Sequence, residues 1–159
     1  MTGWVVVGRP MRSVVQRVRY AKVTVDGETI GSIGRGLCAL VGVGGEDTES
    51  DAVQLADRLV DLRIFSDPEG RMNLSLADLG GSLLAVSQFT LYGDTRRGRR
   101  PSFICAKPGE AAKVLFDRCC QRVRERGIDV QTGRFGAHME VELLNDGPVT
   151  LLVDTEKRF

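Results

Sequence analysis

Leu37-Cys38-Ala39-Leu40-Val41-Gly42-Val43, closed by Gly44-Gly45, is the stretch on which the reading of the fold turns. A half-exposed strand would alternate apolar with polar residues, and an amphipathic helix would show a polar side every third or fourth position. A short, unbroken apolar run ended by a turn signal instead fits a strand buried on both faces. Other elements must therefore cover it from both sides.

Working outward from that strand, the chain reads as short strands with two helices interposed. Upstream, Val14, Val15 and Val18, then Val23 and Val25, flank basic residues, and Asp26-Gly27 is a turn dipeptide. Downstream, Ala52, Val53, Ala56, Leu59 and Val60 recur at spacings of three and four, predicting a helix over Glu49–Asp61 with Thr48 as its cap. Asp67-Pro68-Glu69-Gly70 reads as a turn. Leu83-Leu84-Ala85-Val86 is a second buried strand, with Ser87-Gln88-Phe89-Thr90-Leu91 at its end.

A basic loop, Arg96-Arg97-Gly98-Arg99-Arg100, follows. Pro108 suits the first turn of a second helix and Gly127 its stop; Ala112, Leu115, Phe116, Cys119 and Val123 form its apolar stripe. The tail alternates from Met139, breaks at Asn145-Asp146-Gly147-Pro148, and resumes at Val149, which reads as a strand, a special turn and a strand. The expected fold is α/β: a single domain with a mostly antiparallel sheet and two main helices.

Composition narrows the function classes. With 159 residues, 42% apolar, and a formal net charge of +1, the chain suits one domain with a real core and is no bulk nucleic-acid binder. Any nucleic-acid contact must come from a local patch. Cys38, Cys105, Cys119 and Cys120 form no Cys-x-x-Cys pair, and His138 is the sole histidine, so zinc ligation is poorly served. The cysteines read as buried, reduced thiols of a cytosolic protein. No apolar run approaches the roughly 20 residues of a membrane span. Met11 opens a more ordinary pattern than the residues before it, so residues 1–10 read as an N-terminal extension and residues 11–159 as the domain.

Conventional catalytic signatures are missing: no Gly-x-Ser-x-Gly elbow, no phosphate-binding loop ending in Lys-Ser/Thr, no His-Glu-x-x-His helix. A Ser-His-Asp triad would have to recruit His138, which also reads as an ordinary loop histidine. Two segments stand out. Ser87-Gln88-Phe89-Thr90-Leu91 puts polar residues where an apolar strand runs out, a place from which side chains and amides can be aimed. Asn145-Asp146-Gly147-Pro148-Val149-Thr150 carries a Gly-Pro bond able to be cis at modest cost. Taken singly, each is also an ordinary strand end or turn. Arg96, Arg97, Arg99 and Arg100 are either a solvated loop or a local contact for phosphates.

Together, in this order, the two segments resemble the Ser-Gln-x-Thr-Leu and Asn-x-Gly-Pro-x-Thr motifs of the D-aminoacyl-tRNA deacylase family. Met11-Arg-x-Val-Val-Gln-Arg-Val, Gly93-Asp94, Arg-Arg-Pro-Ser-Phe at 99–103 and Thr132-Gly-x-Phe-Gly-Ala137 extend the resemblance from Met11 to the end. His138 departs from it, standing where the family often carries an acidic residue.

The resemblance implies a cytoplasmic hydrolase of D-aminoacyl-tRNA that rejects L-aminoacyl-tRNA, accepts achiral glycyl-tRNA, and needs no metal or organic cofactor. It implies a homodimer in which a cis Gly147-Pro148 reaches into the partner's site, holds the substrate's α-amino group through its carbonyls, and collides with an L side chain. Asn145 and Met139 belong to the same chiral-selection set. Ser87, Gln88, Phe89 and Thr90 form the catalytic set: Gln88 and Phe89 shape the pocket for the terminal adenosine, and the Phe89 and Thr90 amides are candidate donors to the ester carbonyl. Thr90 is either a nucleophile or a positioning group beside a water-attack step assisted by the tRNA 2′-hydroxyl. The rival classes are a non-catalytic tRNA-binding module and a small-ester esterase built on His138.

Overall fold

A computed structural model describes residues 10–158 of the 159. Residues 1–9, on which most of the expected N-terminal extension falls, lie outside that span. In chain order the elements are β1 (Arg12–Val25), β2 (Glu28–Ile33), β3 (Gly36–Gly42), α1 (Glu49–Asp61), β4 (Phe65–Ser66), β5 (Met72–Leu74), α2 (Leu76–Leu79), β6 (Ser82–Ser87), a 3₁₀ turn (Phe89–Tyr92), α3 (Gly109–Glu125), β7 (Asp129–Thr132) and β8 (Glu140–Asp154).

The apolar run is β3, and both its faces are covered. Leu37, Ala39 and Val41 point into a core shared with α1 and α3, while Cys38 joins a second cluster with Val18, Val23, Leu84 and Val86 on the opposite face. This is the period-2 geometry of a strand with two dry sides. α1 occupies the predicted residues; the Asp51 carboxylate accepts the Thr48 backbone N–H at 2.8 Å and closes its first turn. α3 buries Ala112, Leu115, Phe116, Cys119, Cys120 and Val123, and Gly127 leaves it at φ +83°. Arg122 of α3 and Arg126 at its C-cap reach Asp57 and Asp61 of α1 across the helix pair.

The sheet is mixed: three of its five pairings are antiparallel, as expected, and two are parallel. β1 pairs antiparallel with β2, β3 and β8, but β3–β6 and β6–β7 are parallel. The reason lies in the connections: parallel neighbours need long crossovers, and α1 and α3 lie in the two that join β3 to β6 and β6 to β7. The short helix α2 and the β4–β5 hairpin were not expected; the Asp67 turn joins that hairpin, with Gly70 at φ +80°.

The tail also differs from the reading. The chain does not reverse at Asn145-Asp146-Gly147-Pro148. Both halves of β8 pair with β1, Gln16 opposite Thr150 and Val18 opposite Asn145. Residues 146–149 are therefore a bulge set against Arg17, so Gly147 and Pro148 are pushed out of the ladder into solvent. The polar break that resembles a turn is an interruption within one strand. Among the described residues, no helix is long and apolar enough to cross a membrane.

Candidate active site

The carboxyl ends of the parallel strands β3, β6 and β7 open on one side of the sheet, where α/β folds place ligands. A cavity of about 380 Å³ lies there, lined by Val43 past β3, by Ser87, Gln88, Phe89 and Thr90 past β6, and by Phe135, Gly136, Ala137 and Met139 past β7. Phe103, Ala106, Lys107, Pro108, Gly109 and Ala112 complete it. The catalytic set read from the sequence is thus gathered in one cavity, with Met139 beside it.

The segment after β6 is held from beneath. The Gln88 backbone N–H donates to the Val41 carbonyl at 2.8 Å, and the chain then tightens into the 3₁₀ turn. Tyr92 anchors that turn: fully buried, its hydroxyl lies 2.6 Å from the Pro10 carbonyl oxygen and 2.9 Å from that of Gly42. The Arg12 guanidinium covers its ring at 4.8 Å. Gly42 makes room for the ring, since a Cβ there would stand 2.7 Å from Tyr92 Cε2. So fixed, the turn presents Phe89 and Thr90 outward. Phe89 is 57% exposed and meets Phe103 edge to face, with centroids 5.1 Å apart. The first hydrogen bond of the turn runs from Leu91 N–H to the Gln88 carbonyl; the Phe89 and Thr90 amides precede it, where helical turns leave donors unspent.

Gln88 Nε2 donates to Thr90 Oγ1 at 2.9 Å. A hydroxyl that accepts this bond keeps its own proton for donation outward. Lys107 is the only charged side chain among the cavity-lining residues; neither a carboxylate nor an imidazole is among them. His138 is exposed and lies between two lining residues without lining the cavity itself. Among the described residues, no group of three or more His, Cys, Asp or Glu could hold a metal ion.

Gly147, Pro148 and Asn145 lie elsewhere, on the β8 bulge, and do not line this chain's cavity. The Gly147-Pro148 peptide is cis. Asn145 clasps the bulge by accepting the Val149 N–H at 2.8 Å and donating to the Val149 carbonyl and to Gln16 Oε1, both at 3.1 Å. Arg17, which the sequence reading missed, braces the far side: Nε donates to the Asp146 carbonyl at 2.8 Å and Nη1 to that of Ile64 at 2.7 Å. Its signal was its place in the Met11-Arg-x-Val-Val-Gln-Arg-Val stretch, where it is one of two cations.

The arginine loop is closed at its base by paired backbone bonds between Asp94 and Ser102. Arg96 is bound bidentately to the Asp94 carboxylate, at 2.9 and 2.7 Å, and so shapes the loop. Arg97, Arg99 and Arg100 are exposed, and none of the four lines the cavity. Asp47, beneath the β3–α1 loop, accepts the Met11 and Gly44 N–H groups at 2.8 and 2.5 Å, and burial raises its pKa to about 6. All four cysteines are free; burial pushes the Cys38 thiol up to about 11 and that of Cys120 to about 12, whereas Cys105 is only half-buried.

Residues 14–154 match the family model described as D-Tyr-tRNA(Tyr) deacylase. A D-aminoacyl-tRNA deacylase of Thermotoga petrophila is 56% identical over 149 residues, covering 94% of this chain and all of the relative. One from Clostridium perfringens is 55% identical with the same coverage. A solved structure titled c-Myc DNA Unwinding Element Binding Protein superposes with a TM-score of 0.85 at 38% identity, covering 91% of this chain and 98% of that one. Another, titled as a probable eukaryotic D-amino acid tRNA deacylase, shares the fold with a TM-score of 0.79 at 21% identity, covering 92% of this chain and all of that one. With both motifs in place and the family match spanning nearly the whole domain, the chain belongs to the D-Tyr-tRNA(Tyr) deacylase family.

Proposed function

We propose that this protein hydrolyses the ester of D-aminoacyl-tRNA, releasing the D-amino acid and free tRNA while leaving L-esters intact. The observation that carries the reading is the chemistry of the cavity. Gln88 occupies the Thr90 hydroxyl as an acceptor, amides unspent within the turn lie beside it, and neither a carboxylate nor an imidazole stands among the lining residues to make a nucleophile of it. An aminoacyl ester is already labile and needs orientation and stabilisation of its developing oxyanion more than a strong nucleophile. Water adds to the ester carbonyl, the Phe89 and Thr90 N–H groups receive the negative oxygen, and collapse expels the ribose 3′-oxygen, which takes a proton. The neighbouring 2′-hydroxyl of the tRNA assists the water, and Thr90 positions the ester.

Discrimination comes from a second copy of the chain. Gly147 and Pro148 are exposed, clasped by Asn145 and braced by Arg17, and lie outside this chain's cavity. In a homodimer they enter the partner's cavity, hold the α-amino group and exclude an L side chain. Exposed apolar residues on the same strands support such a contact: Tyr20 pairs across to Leu144, and Val141 and Leu152 are also exposed. The filter does not grip the side chain, so many D-residues and glycine pass. Arg97, Arg99 and Arg100 contact acceptor-stem phosphates, Arg96 orders their loop, and the working compartment is the cytoplasm.

Matched D- and L-tyrosyl-tRNA incubated with the metal-free protein test the proposal. Rapid release of D-tyrosine with the L-ester intact is expected. Cleavage of both would refute the filter. Cleavage of neither, with tRNA still bound, would make the protein a binding module.

A further inference from the structure

Among the described residues, Lys107 is the only charged one lining a cavity that is otherwise neutral and largely apolar. Its position is built rather than incidental. The segment before α3 pairs with the end of β3: Gly45 N–H donates to the Cys105 carbonyl at 2.9 Å, Gly44 bridges Ala106, and Lys107 N–H donates to the Val43 carbonyl at 2.9 Å. The side chain is pinned as well, because Nζ donates to the Gly45 carbonyl at 3.0 Å. An ammonium has three donors, so two are left for a ligand. The nearby Asp47 carboxylate accepts the Met11 and Gly44 N–H groups.

We propose that Lys107 is a specificity-determining contact of this cavity, which binds the phosphodiester that links the 3′-terminal nucleotide of the substrate to the rest of the RNA. This rests on the function proposed above. The reacting end of an aminoacyl-tRNA carries two charges close to the ester: a cationic α-ammonium on the amino acid and an anionic phosphodiester on the terminal ribose. A fixed cation repels the first and attracts the second. Lys107 therefore fixes the direction in which the substrate lies, with the ribose-phosphate toward the start of α3 and the α-amino group toward the opposite side. The exposed arginine loop acts on the duplex stem outside the cavity, whereas Lys107 acts on the one phosphate that must follow the ester to its mouth.

The test uses the full-length protein, D-tyrosyl-tRNA, and 3′-D-tyrosyl-adenosine, an ester without any phosphate. Lys107→Met should raise KM for D-tyrosyl-tRNA about three- to tenfold at low salt, with kcat within twofold. Its log–log salt dependence should flatten by about 0.7, the value for one contact on a single strand. Cleavage of D-tyrosyl-adenosine should fall less than that of D-tyrosyl-tRNA and show no change in salt slope, since only the repulsion of the α-ammonium acts on it, and Lys107→Arg should restore both the KM and the salt slope for D-tyrosyl-tRNA. Equal losses on the two substrates, or no loss on D-tyrosyl-tRNA, would overturn the assignment, as would failure of Lys107→Arg to rescue. Inactivity of the wild-type protein toward both esters would instead overturn the parent function.

Discussion

Thr90 is the residue at which two mechanisms separate, and the structure supplies the magnitude that separates them. Its Oγ1 accepts from Gln88 Nε2 at 2.9 Å, which leaves its own hydroxyl proton to donate to another partner. A hydrogen bond to an ester oxygen that gains charge is worth about 1.5–3 kcal/mol. At about 1.4 kcal/mol per tenfold, Thr90→Val should lower kcat/KM for D-tyrosyl-tRNA by about 10- to 150-fold. Loss of a covalent nucleophile would cost on the order of 10⁴-fold or more. Thr90 is exposed, so the stability of Thr90→Val should change by less than about 0.5 kcal/mol in urea denaturation. Thr90→Ser keeps the hydroxyl and should fall within a few-fold of wild type. The assay is single-turnover release of D-tyrosine, paired with acid quenching and mass spectrometry of the protein. A loss of 10⁴-fold in Thr90→Val, together with a D-tyrosyl adduct trapped on the wild-type chain, would refute the positioning role and make Thr90 the nucleophile.

Two further perturbations follow from the same geometry. Gly147 sits at φ +151°, and a Cβ there would stand 2.7 Å from Val149 Cγ2 and 2.8 Å from Val149 N. Gly147→Ala should therefore cost about 1–3 kcal/mol of stability. By displacing the bulge it should also lower kcat/KM by more than tenfold; unchanged hydrolysis and selectivity would remove this residue from the chiral filter. Asp47 has its folded pKa raised from 3.8 to about 6, so its protonated form is favoured on folding and its contribution is fully present below about pH 4 and lost as pH rises through 6. The stability advantage of wild type over Asp47→Asn should shrink by about 3 kcal/mol between pH 4 and pH 7. An advantage that grew with pH in matched denaturation curves would show that the ionised carboxylate is the favoured partner of the Met11 and Gly44 amides.

How much of the molecule was legible in the sequence depends on the range of the interaction involved. α1 and the stripe of α3 were readable residue by residue, because capping and amphipathic spacing are written within one or two turns. β3 was readable as doubly buried, because burial on both faces removes alternation. The direction of β6 and β7 was not legible, since a strand's own residues do not say which way its neighbour runs. The tail misled for a related reason: four polar or turn-forming residues signal a turn locally, but pairing of both flanks with β1 keeps the chain straight and ejects the excess as a bulge. Arg17 and Lys107 were invisible because each acts through a partner far along the chain, Ile64 and Asp146 for the first and Gly45 for the second.

The sequence by itself therefore determined the two long helices, the buried central strand and, through two short motifs in a fixed order, the family. These depend on local periodicity and on residue types that chemistry restricts at each position. Tertiary structure alone decided that Ser87, Gln88, Phe89, Thr90 and Met139 share a cavity at the carboxyl ends of parallel strands, and that Gly147-Pro148 stands outside it. It also decided that Thr90 lines that cavity with its hydroxyl accepting from Gln88, while Tyr92 is buried beneath the turn that presents it. Such facts belong to contacts between residues tens of positions apart, set by strand direction and register, which no local pattern encodes.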